Sequence, residues 1–489
     1  MKNRKIAILG VCLLSTMSTL TSLVSCGGGA DEDPYTITFM HTFGATVKNT
    51  VQSYIDKFIK IVEQKEGVKL NVEMDYGGGY SDVEAKVEKT FATGGQPTIA
   101  VAYPDHVAQY KSLETKDKKF VVNLEDYIND STIGLTKEDE YNPGSKGIED
   151  IVPSFYEEGT KYAEEGVYSF PFLKSTEIML FDYNKADSIL TDMGIAHSSG
   201  VEAYMNSITW SEFVNILKYE REHITNYYPN YSTTDSSAKV YPLAYDSDAN
   251  LFISQSYQRD IPYVSMTNGK GSIDFNNDQA KTMVKEFKDL YDDGVLVTKG
   301  TNDNKYTSDL FKNLQCTFLV SSTGGTGYND ASTNIKKIGV CKVPSYSKDA
   351  ERMKYVSQGV TLTLLNNTKL TDETNKTRLK YAWKLVKYLT SGEVSAEIAL
   401  GTEGYIPARY SAYTSEDYAY YLTESDFMPR AANAVISEIK GNYFNYPVFK
   451  GTANCRDQVG GIITQTLLNK KDVDTAFTDA YNSAMIGLN

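Results

Sequence analysis

The residues that could carry specific chemistry are few. The chain of 489 residues has only four His and five Cys. It contains no C-x-x-C, no H-E-x-x-H and no G-x-S-x-G. The spacings of zinc sites, zinc proteases and serine-hydrolase elbows are therefore missing. Gly77-Gly78-Gly79 is not followed by Gly-Lys-Ser/Thr, so it is not a P-loop. Asp246 and Asp248 alternate as calcium-loop ligands do, but no Glu stands at loop position twelve. No metal and no cofactor is implied. Paired carboxylates, the machinery of glycosidases, stay open in a chain with 63 acidic residues. The abundant polar ring is Tyr, with 37 copies against two Trp. Tyr offers a flat face and a hydroxyl to a polyol, although most of 37 must be ordinary packing.

One thiol has a distinctive setting. Lys2, Arg4 and Lys5 precede a short apolar run, Ile6 to Leu14, and a small-residue stretch that ends in Leu23-Val24-Ser25-Cys26. Charge followed by a short apolar run is a secretory signal, too short to span a membrane comfortably. Leu, two small or apolar residues and Cys resemble the bacterial lipobox. That resemblance implies cleavage after residue 25 and acylation of Cys26, which would hold the protein to a membrane. Gly27 to Pro34 then reads as a flexible tether. Cys316, Cys341 and Cys455 are left, an odd number. They read as small buried thiols, with a Cys316–Cys341 bridge as the alternative.

Charge narrows the partners. The formal net charge is −14, and losing the signal's three cations makes it −17. An acidic whole argues against nucleic-acid binding through phosphate neutralisation. Hydrophobic residues are 41%, enough for sizeable cores.

The elements that must position any site alternate in type. Tyr35 to Met40 reads as a strand, Val47 to Glu66 as a helix, and Val68 to Met74 as a strand. Val83 to Phe91 is again helical, and Pro97 to Tyr103 is a buried strand. Such alternation predicts an α/β fold with a mainly parallel sheet, ligands lying beyond the carboxyl ends of the strands. Met40-His41-Thr42, Tyr76 to Tyr80 and Tyr103-Pro104-Asp105 then share one rim. Further along, Glu177 to Tyr183 reads as a strand. Thr209 and Glu212 form a capping box opening a helix through Tyr219. Asp278 to Tyr291 is a helix that stops at Gly294, Cys316 to Ser321 a strand, Lys380 to Thr390 a helix, and Val459 to Met485 largely helical. Trp210 and Trp383 read as core.

In this order the motifs resemble the extracellular solute-binding proteins of ABC importers, family 1. Gly95-Gln96-Pro97-Thr98-Ile99 is similar to Gly-x-Pro-Asp-Ile. Phe170-Pro171-Phe172 with Tyr183-Asn184-Lys185 is similar to the family's crossing segment. Thr209-Trp210-Ser211-Glu212-Phe213, Ala382-Trp383-Lys384-Leu385-Val386 and Gly404-Tyr405-Ile406-Pro407-Ala408-Arg409 resemble three further motifs. Phe311 to Phe318 resembles a fourth, with Leu314 or Gln315 in place of its Gly. The resemblance spans residues 35–489 and implies a two-lobed, type II periplasmic-binding-protein-like fold with the ligand in the interlobe cleft. Implied boundaries are 35–175 with 358–399 for lobe 1 and 176–357 with 400–489 for lobe 2, after the signal at 1–25 and the tether at 26–34. Crossings are expected near Phe172–Thr176, Ser357–Gly359 and Leu400–Tyr405. The implied protein is a monomer that catalyses nothing. It takes a sugar, polyol or glycerophosphodiester, works with the transmembrane subunits of a permease, and sits on the outer face of the membrane.

Within the family, local matches are closest to the branch that binds glycerol 3-phosphate and glycerophosphodiesters. They suggest Tyr80, Ser175, Ser322-Thr323-Gly324, Gly359 and Tyr405 as ligand contacts. Asp105, Arg456 and His41 are added from their places near the rim or the motif. This sequence departs from that branch in three ways. Pro104 precedes the acidic residue, Tyr245 to Asn250 stands where that branch has a Trp pair, and its phosphate-binding Arg does not align. An oligosaccharide-binding member is therefore the alternative. A surface hydrolase and a structural surface lipoprotein are the remaining rivals.

Overall fold

The computed structural model describes residues 33–135, 138–232, 234, 239–330, 334–402 and 404–488. The signal segment and Cys26 lie outside them. In chain order the strands are β1 Thr36–His41, β2 Asn71–Tyr76, β3 Ile99–Ala102, β4 Phe170–Ser175, β5 Glu177–Asp182, β6 Tyr241–Tyr245, β7 Val264–Thr267, β8 Lys270–Ile273, β9 Leu296–Thr298, β10 Cys316–Ser322, β11 Ile338–Lys342, β12 Tyr355–Val356, β13 Gln358–Leu364 and β14 Tyr443–Phe444. They form two five-stranded sheets, ordered β2-β1-β3-β13-β4 and β11-β5-β10-β6-β9, and two small two-stranded sheets.

Each large sheet has two halves. In the first, β1 pairs in parallel with β2 and β3, as helical crossovers require, while β13 runs antiparallel to β3 and β4. In the second, β10, β6 and β9 are parallel, and β5 is antiparallel to β10 and β11. Among the antiparallel strands, β4 runs straight into β5 across Thr176, and β13 follows β12 across Ser357, in neither case with a helix to turn the chain.

Alternation fixes the layers. Ile37 and Phe39 pack on one face of the first sheet with Val51, Ile55, Phe58, Trp383 and Leu385. Met40, Ala100 and Ala102 pack on the other with Val83, Val87 and Phe91. Helix Ala45–Glu66 buries Val51, Tyr54, Ile55, Phe58 and Val62, a stripe at helical spacing. It ends at Gly67, whose φ of 68° lets its amide reach the Glu63 carbonyl at 3.0 Å. The second sheet has its own core, including Phe213, Phe252, Phe287, Phe318 and Phe477.

Several sequence expectations hold here. Thr209 caps helix Trp210–Glu222: its Oγ1 accepts from the Glu212 amide at 3.4 Å, and Glu212 Oε2 accepts from the Thr209 amide at 2.7 Å. Trp210 and Trp383 are buried, and Trp383 Nε1 donates to the Ile133 carbonyl at 2.9 Å. Cys316, Cys341 and Cys455 are buried and unpaired. Two boundaries differ. Helix Asp372–Leu389 starts eight residues before the expected Lys380, because its first turns are polar and rest on the Thr371 cap. The C-terminal helical stretch is two helices, Thr452–Leu467 and Val473–Leu488.

One core group is tuned by its surroundings. Glu220 is fully buried, accepts the Thr317 hydroxyl on Oε1, and has no partner for Oε2 among the described residues. Burial pushes its carboxyl up to about 8, against the lowering effect of the Thr317 bond. The folded state therefore holds a proton that the unfolded chain has released, and stability falls as pH rises from about 4.5 to about 8. Glu220→Gln keeps an acceptor for Thr317 and removes the charge. We expect it to unfold at nearly the wild-type urea concentration at pH 5, and to be more stable by roughly 2–4 kcal/mol at pH 8.5. Equal pH slopes for the two proteins would show that Glu220 does not hold that proton.

Candidate functional site

The chain passes between the regions of the two large sheets at three places. A single residue, Thr176, separates β4 in the first sheet from β5 in the second. Ser357 alone separates β12 from β13. The third passage follows Gly401, where the Ile406 amide donates to the Lys174 carbonyl at 2.8 Å and the Lys174 amide returns a bond of 3.2 Å.

Side-chain hydroxyls stitch these passages where the backbone ladders stop. Thr176 Oγ1 donates to the Val356 carbonyl at 2.8 Å. The Thr176 amide donates to Thr323 Oγ1 at 3.2 Å, and the Thr323 amide to the Thr176 carbonyl at 2.8 Å. Beneath them Lys174 Nζ, fully buried, pairs with Glu158 Oε2 at 2.6 Å and reaches the Gly359 carbonyl at 3.5 Å. Gly359 holds φ at 90°, and a Cβ there would lie 2.1 Å from the Leu173 carbonyl oxygen. Only glycine fits this close approach.

Two cavities meet in front of the passages. One, of about 440 Å³, is lined by Asp105, Glu158, Ser357, Tyr446 and Arg456 among others. The other, of about 780 Å³, is lined by Ser175, Glu177, Asn250, Ser322, Gly324 and Tyr405 among others. Tyr80, Tyr103, Lys299, Gln358 and Gly359 belong to both. Each volume lies within the range of small-ligand sites.

Three tyrosines occupy the junction. The rings of Tyr80 and Tyr103 are 4.5 Å apart between centroids. The Tyr80 hydroxyl interacts with those of Thr42, Tyr405 and Tyr103. Gly324 lets the Tyr405 ring lie against its loop, since a Cβ would stand 3.1 Å from that ring. Burial first, then the neighbouring phenol, raises Tyr80 and Tyr103 above the ordinary phenol range, so both remain donors.

The charged groups answer one another. Glu177 accepts from Tyr245 Oη at 2.8 Å and from Asn250 Nδ2 at 3.0 Å. Burial pushes its carboxyl up to about 7; those bonds and the Arg456 charge act in the opposite direction. Arg456 is half-buried, donating from Nη2 to Asn250 Oδ1 and from Nη1 to the Tyr446 hydroxyl at 3.4 Å. Asp105 is buried in the first turn of helix Pro104–Ser112 and accepts from the His106 amide at 3.0 Å.

The structure thus brings eight candidates to the cavities: Tyr80, Asp105, Ser175, Ser322, Gly324, Gly359, Tyr405 and Arg456. Two stand elsewhere. Thr323 is buried in the stitch of the passages. His41 is buried with its ring stacked on Phe43 at 5.0 Å, and its Nδ1 accepts from the Phe43 amide. Burial and then Lys48 lower its imidazole below the ordinary range, keeping it neutral. Asp246 and Asp248 hold no loop of calcium form. Their oxygens accept from Thr307, Ser308, Thr298 and Gly300. Reading the sequence missed Glu158, Glu177, Lys299, Gln358 and Tyr446. Tyr103 was on the predicted rim but passed over for its neighbour Asp105.

Two sheets joined by three passages, with a polar cavity in front of them, define a two-lobed binding protein. The chain belongs to the bacterial extracellular solute-binding proteins, whose sequence profile matches residues 54–423. Family membership places it outside the cell or in the periplasm. No curated protein sequence matches the chain significantly. Among solved structures it is similar to the GacH receptor of Streptomyces glaucescens, solved unliganded and with acarbose. The identity is 18% and the TM-score 0.63, over 93% of this chain and 98% of that one. It is also similar to UgpB from Mycobacterium tuberculosis, solved with glycerophosphocholine, at 15% identity and TM-score 0.65, over 94% and 99%. The sugar-binding protein MalE of Xanthomonas citri matches at 13% and 0.65, over 92% and 97%. At these identities the likeness carries the fold.

Gly359→Ala tests the close approach at the passages. It should lower stability by at least about 1–2 kcal/mol in urea unfolding. Gly325→Ala, with no atom within 4 Å of the added Cβ, should change it by less than about 0.5 kcal/mol. A Gly359→Ala protein as stable as wild type would remove glycine's special role there.

Proposed function

We propose that the protein captures a neutral, polyhydroxylated solute of carbohydrate type between its lobes and delivers it to an ABC permease without chemical change. The observation that carries this reading is the set of uncharged hydrogen-bonding groups that line the cleft. Its hydroxyl and amide groups are many: the phenols of Tyr80, Tyr103 and Tyr405, the hydroxyls of Ser175 and Ser322, and the amides of Asn250 and Gln358. Several of its charged groups are met within the protein, while Lys299, common to both cavities, lies over the Tyr306 ring. Lys174 is paired with Glu158, and Arg456 is held by Asn250 with the charges of Asp105 and Asp457 close by. A phosphate near Arg456 would also face those carboxylates, at a cost that a neutral polyol avoids.

The moving units are taken as residues 35–175 with 358–399 and residues 176–357 with 400–489. Candidate contacts come from both, so full contact with the solute requires closure, and closure signals occupancy to the permease. A glycerophosphodiester is the second reading, supported by Arg456 at the wall of the smaller cavity and by the solute of the UgpB structure.

Thermal unfolding with a panel of neutral saccharides, glycerol 3-phosphate and glycerophosphocholine separates the two. A saccharide present at about a hundred times its Kd should stabilise the fold by about 2.7 kcal/mol. Tyr405→Phe should weaken its binding by about three- to tenfold through the loss of one hydrogen bond. Stabilisation by the phosphate compounds alone would favour the second reading, and no stabilisation by any compound would count against both.

We further propose that the mature protein begins at an acylated Cys26 and is tethered to the outer face of the membrane. Cys26→Ala should move it from the membrane to the soluble fraction after cell lysis and prevent labelling by an alkyne fatty acid. Unchanged membrane retention and labelling would exclude the anchor.

A further inference from the structure

Part of the lining of the larger cavity is open to solvent. Tyr306 and Tyr328 both line it, with 61% and 47% of their surfaces exposed. A single exposed aromatic needs no explanation. Here two share one cavity wall, and both are fixed in place.

Tyr306 stands on the loop between β9 and helix Ser308–Lys312. Two carboxylates, Asp248 buried and Asp246 partly so, fasten both ends of that loop. Asp248 accepts from Thr298 Oγ1 at 2.7 Å and the Gly300 amide at 2.8 Å. Asp246 accepts from the Thr307 amide at 2.6 Å, Thr307 Oγ1 at 2.7 Å and Ser308 Oγ at 2.9 Å. Between the fastenings, Asp303 and Asn304 hold φ at 53° and 59°, a region that non-glycine residues occupy only at some cost. The rings are also oriented. Lys299 Nζ lies 4.0 Å from the Tyr306 centroid, and Lys312 Nζ lies 3.7 Å from that of Tyr328. The Tyr328 hydroxyl donates to Asp309. Rings held this way lose little conformational entropy when a flat ligand face packs on them.

We propose that Tyr306 and Tyr328 form an outer platform on which a carbohydrate chain continues beyond the enclosed cavities. The solute would then be an oligosaccharide of three or more units. The inner units fill the two joined cavities, and the outer ones pack their C–H faces on the two rings. This inference rests on the carbohydrate reading of the cleft and adds to it the length of the solute.

The test is calorimetric titration of the purified protein with maltose to maltoheptaose and with cellobiose to cellohexaose. In the series that binds, affinity should rise with length to at least three units. Tyr306→Ala and Tyr328→Ala should each weaken the longest members by roughly five- to tenfold, and leave the shortest bound member within about twofold. Tyr306→Phe, which keeps the ring, should behave as wild type. The melting temperatures of all three variants should match that of wild type, since both side chains are exposed. A second readout uses Tyr306→Trp. Both native tryptophans are buried, at 4% and 0% exposure, so the emission of the introduced indole is distinguishable. It should shift with long members and not with the shortest. Affinity independent of length, or Ala variants that weaken short and long members alike, would overturn the platform and leave the carbohydrate reading standing. If neither series binds, both fall.

Discussion

The fold depends on how little chain joins its two sheets. The ladders of β4 and β5 run up to Thr176 from either side, Ser175 opposite Gln358 and Glu177 opposite Ser322, so only Thr176 itself stands between the sheets. The backbone groups left over still need partners when buried. Thr176 and Thr323 supply them, and the Val356 carbonyl accepts the Thr176 hydroxyl in turn. The cleft is a consequence of that arrangement. Where both sheets end against a shared stitch, side chains on their ends face one another across a gap. Lys174 and Glu158 lie directly below it. Such a buried pair adds little net stability, but removing either partner would strand a charge away from water.

The same geometry sets the chemistry of the cleft. Low polarizability around the tyrosines keeps their hydroxyls protonated, so each can donate to one oxygen and accept from another. Burial raises the carboxyl of Glu177 to about 7 against the effect of its two donors, one of which, Asn250, also accepts from Arg456. In the carbohydrate reading proposed above, the tyrosine phenols would meet sugar hydroxyls, which likewise both donate and accept. Under the proposed function, contacts divided between the sheets would make binding and closure one event.

Local signals were legible in the sequence wherever they rest on neighbours in the chain. The stripe on Ala45–Glu66, the Thr209–Glu212 box and the stop at Gly294 are all decided within one or two turns. Gly359 and Tyr405 were legible through motifs that mark the passages. Tyr103, Glu158 and Tyr446 were harder, because each becomes a cleft residue only when three distant segments meet at the passages. His41 shows the converse. It ends a strand at the expected rim, yet Phe43 folds back onto its ring and takes its Nδ1. Helix Asp372–Leu389 was read short because its first turns carry no apolar stripe and are fixed by a cap instead.

Asp246 and Asp248 show why residue type alone underdetermines a role. Their spacing in the sequence suits cation ligands. In the fold, their oxygens are occupied by amides and hydroxyls of the segment Thr298–Ser308. Burial raises both carboxyls above the usual range, and each hydrogen bond opposes that rise. A fastening of this kind suits the lobe motion that the proposed function calls for. Rigid-body motion at the passages changes the gap between the sheets but leaves these bonds intact, because both aspartates and the segment they hold follow strands of the same sheet. Stiffness within each lobe lets a small rotation at three short passages bring preformed surfaces together. If the rim loops were as soft as the hinge, closing on a solute would first have to order them, and that entropy would be lost from the affinity.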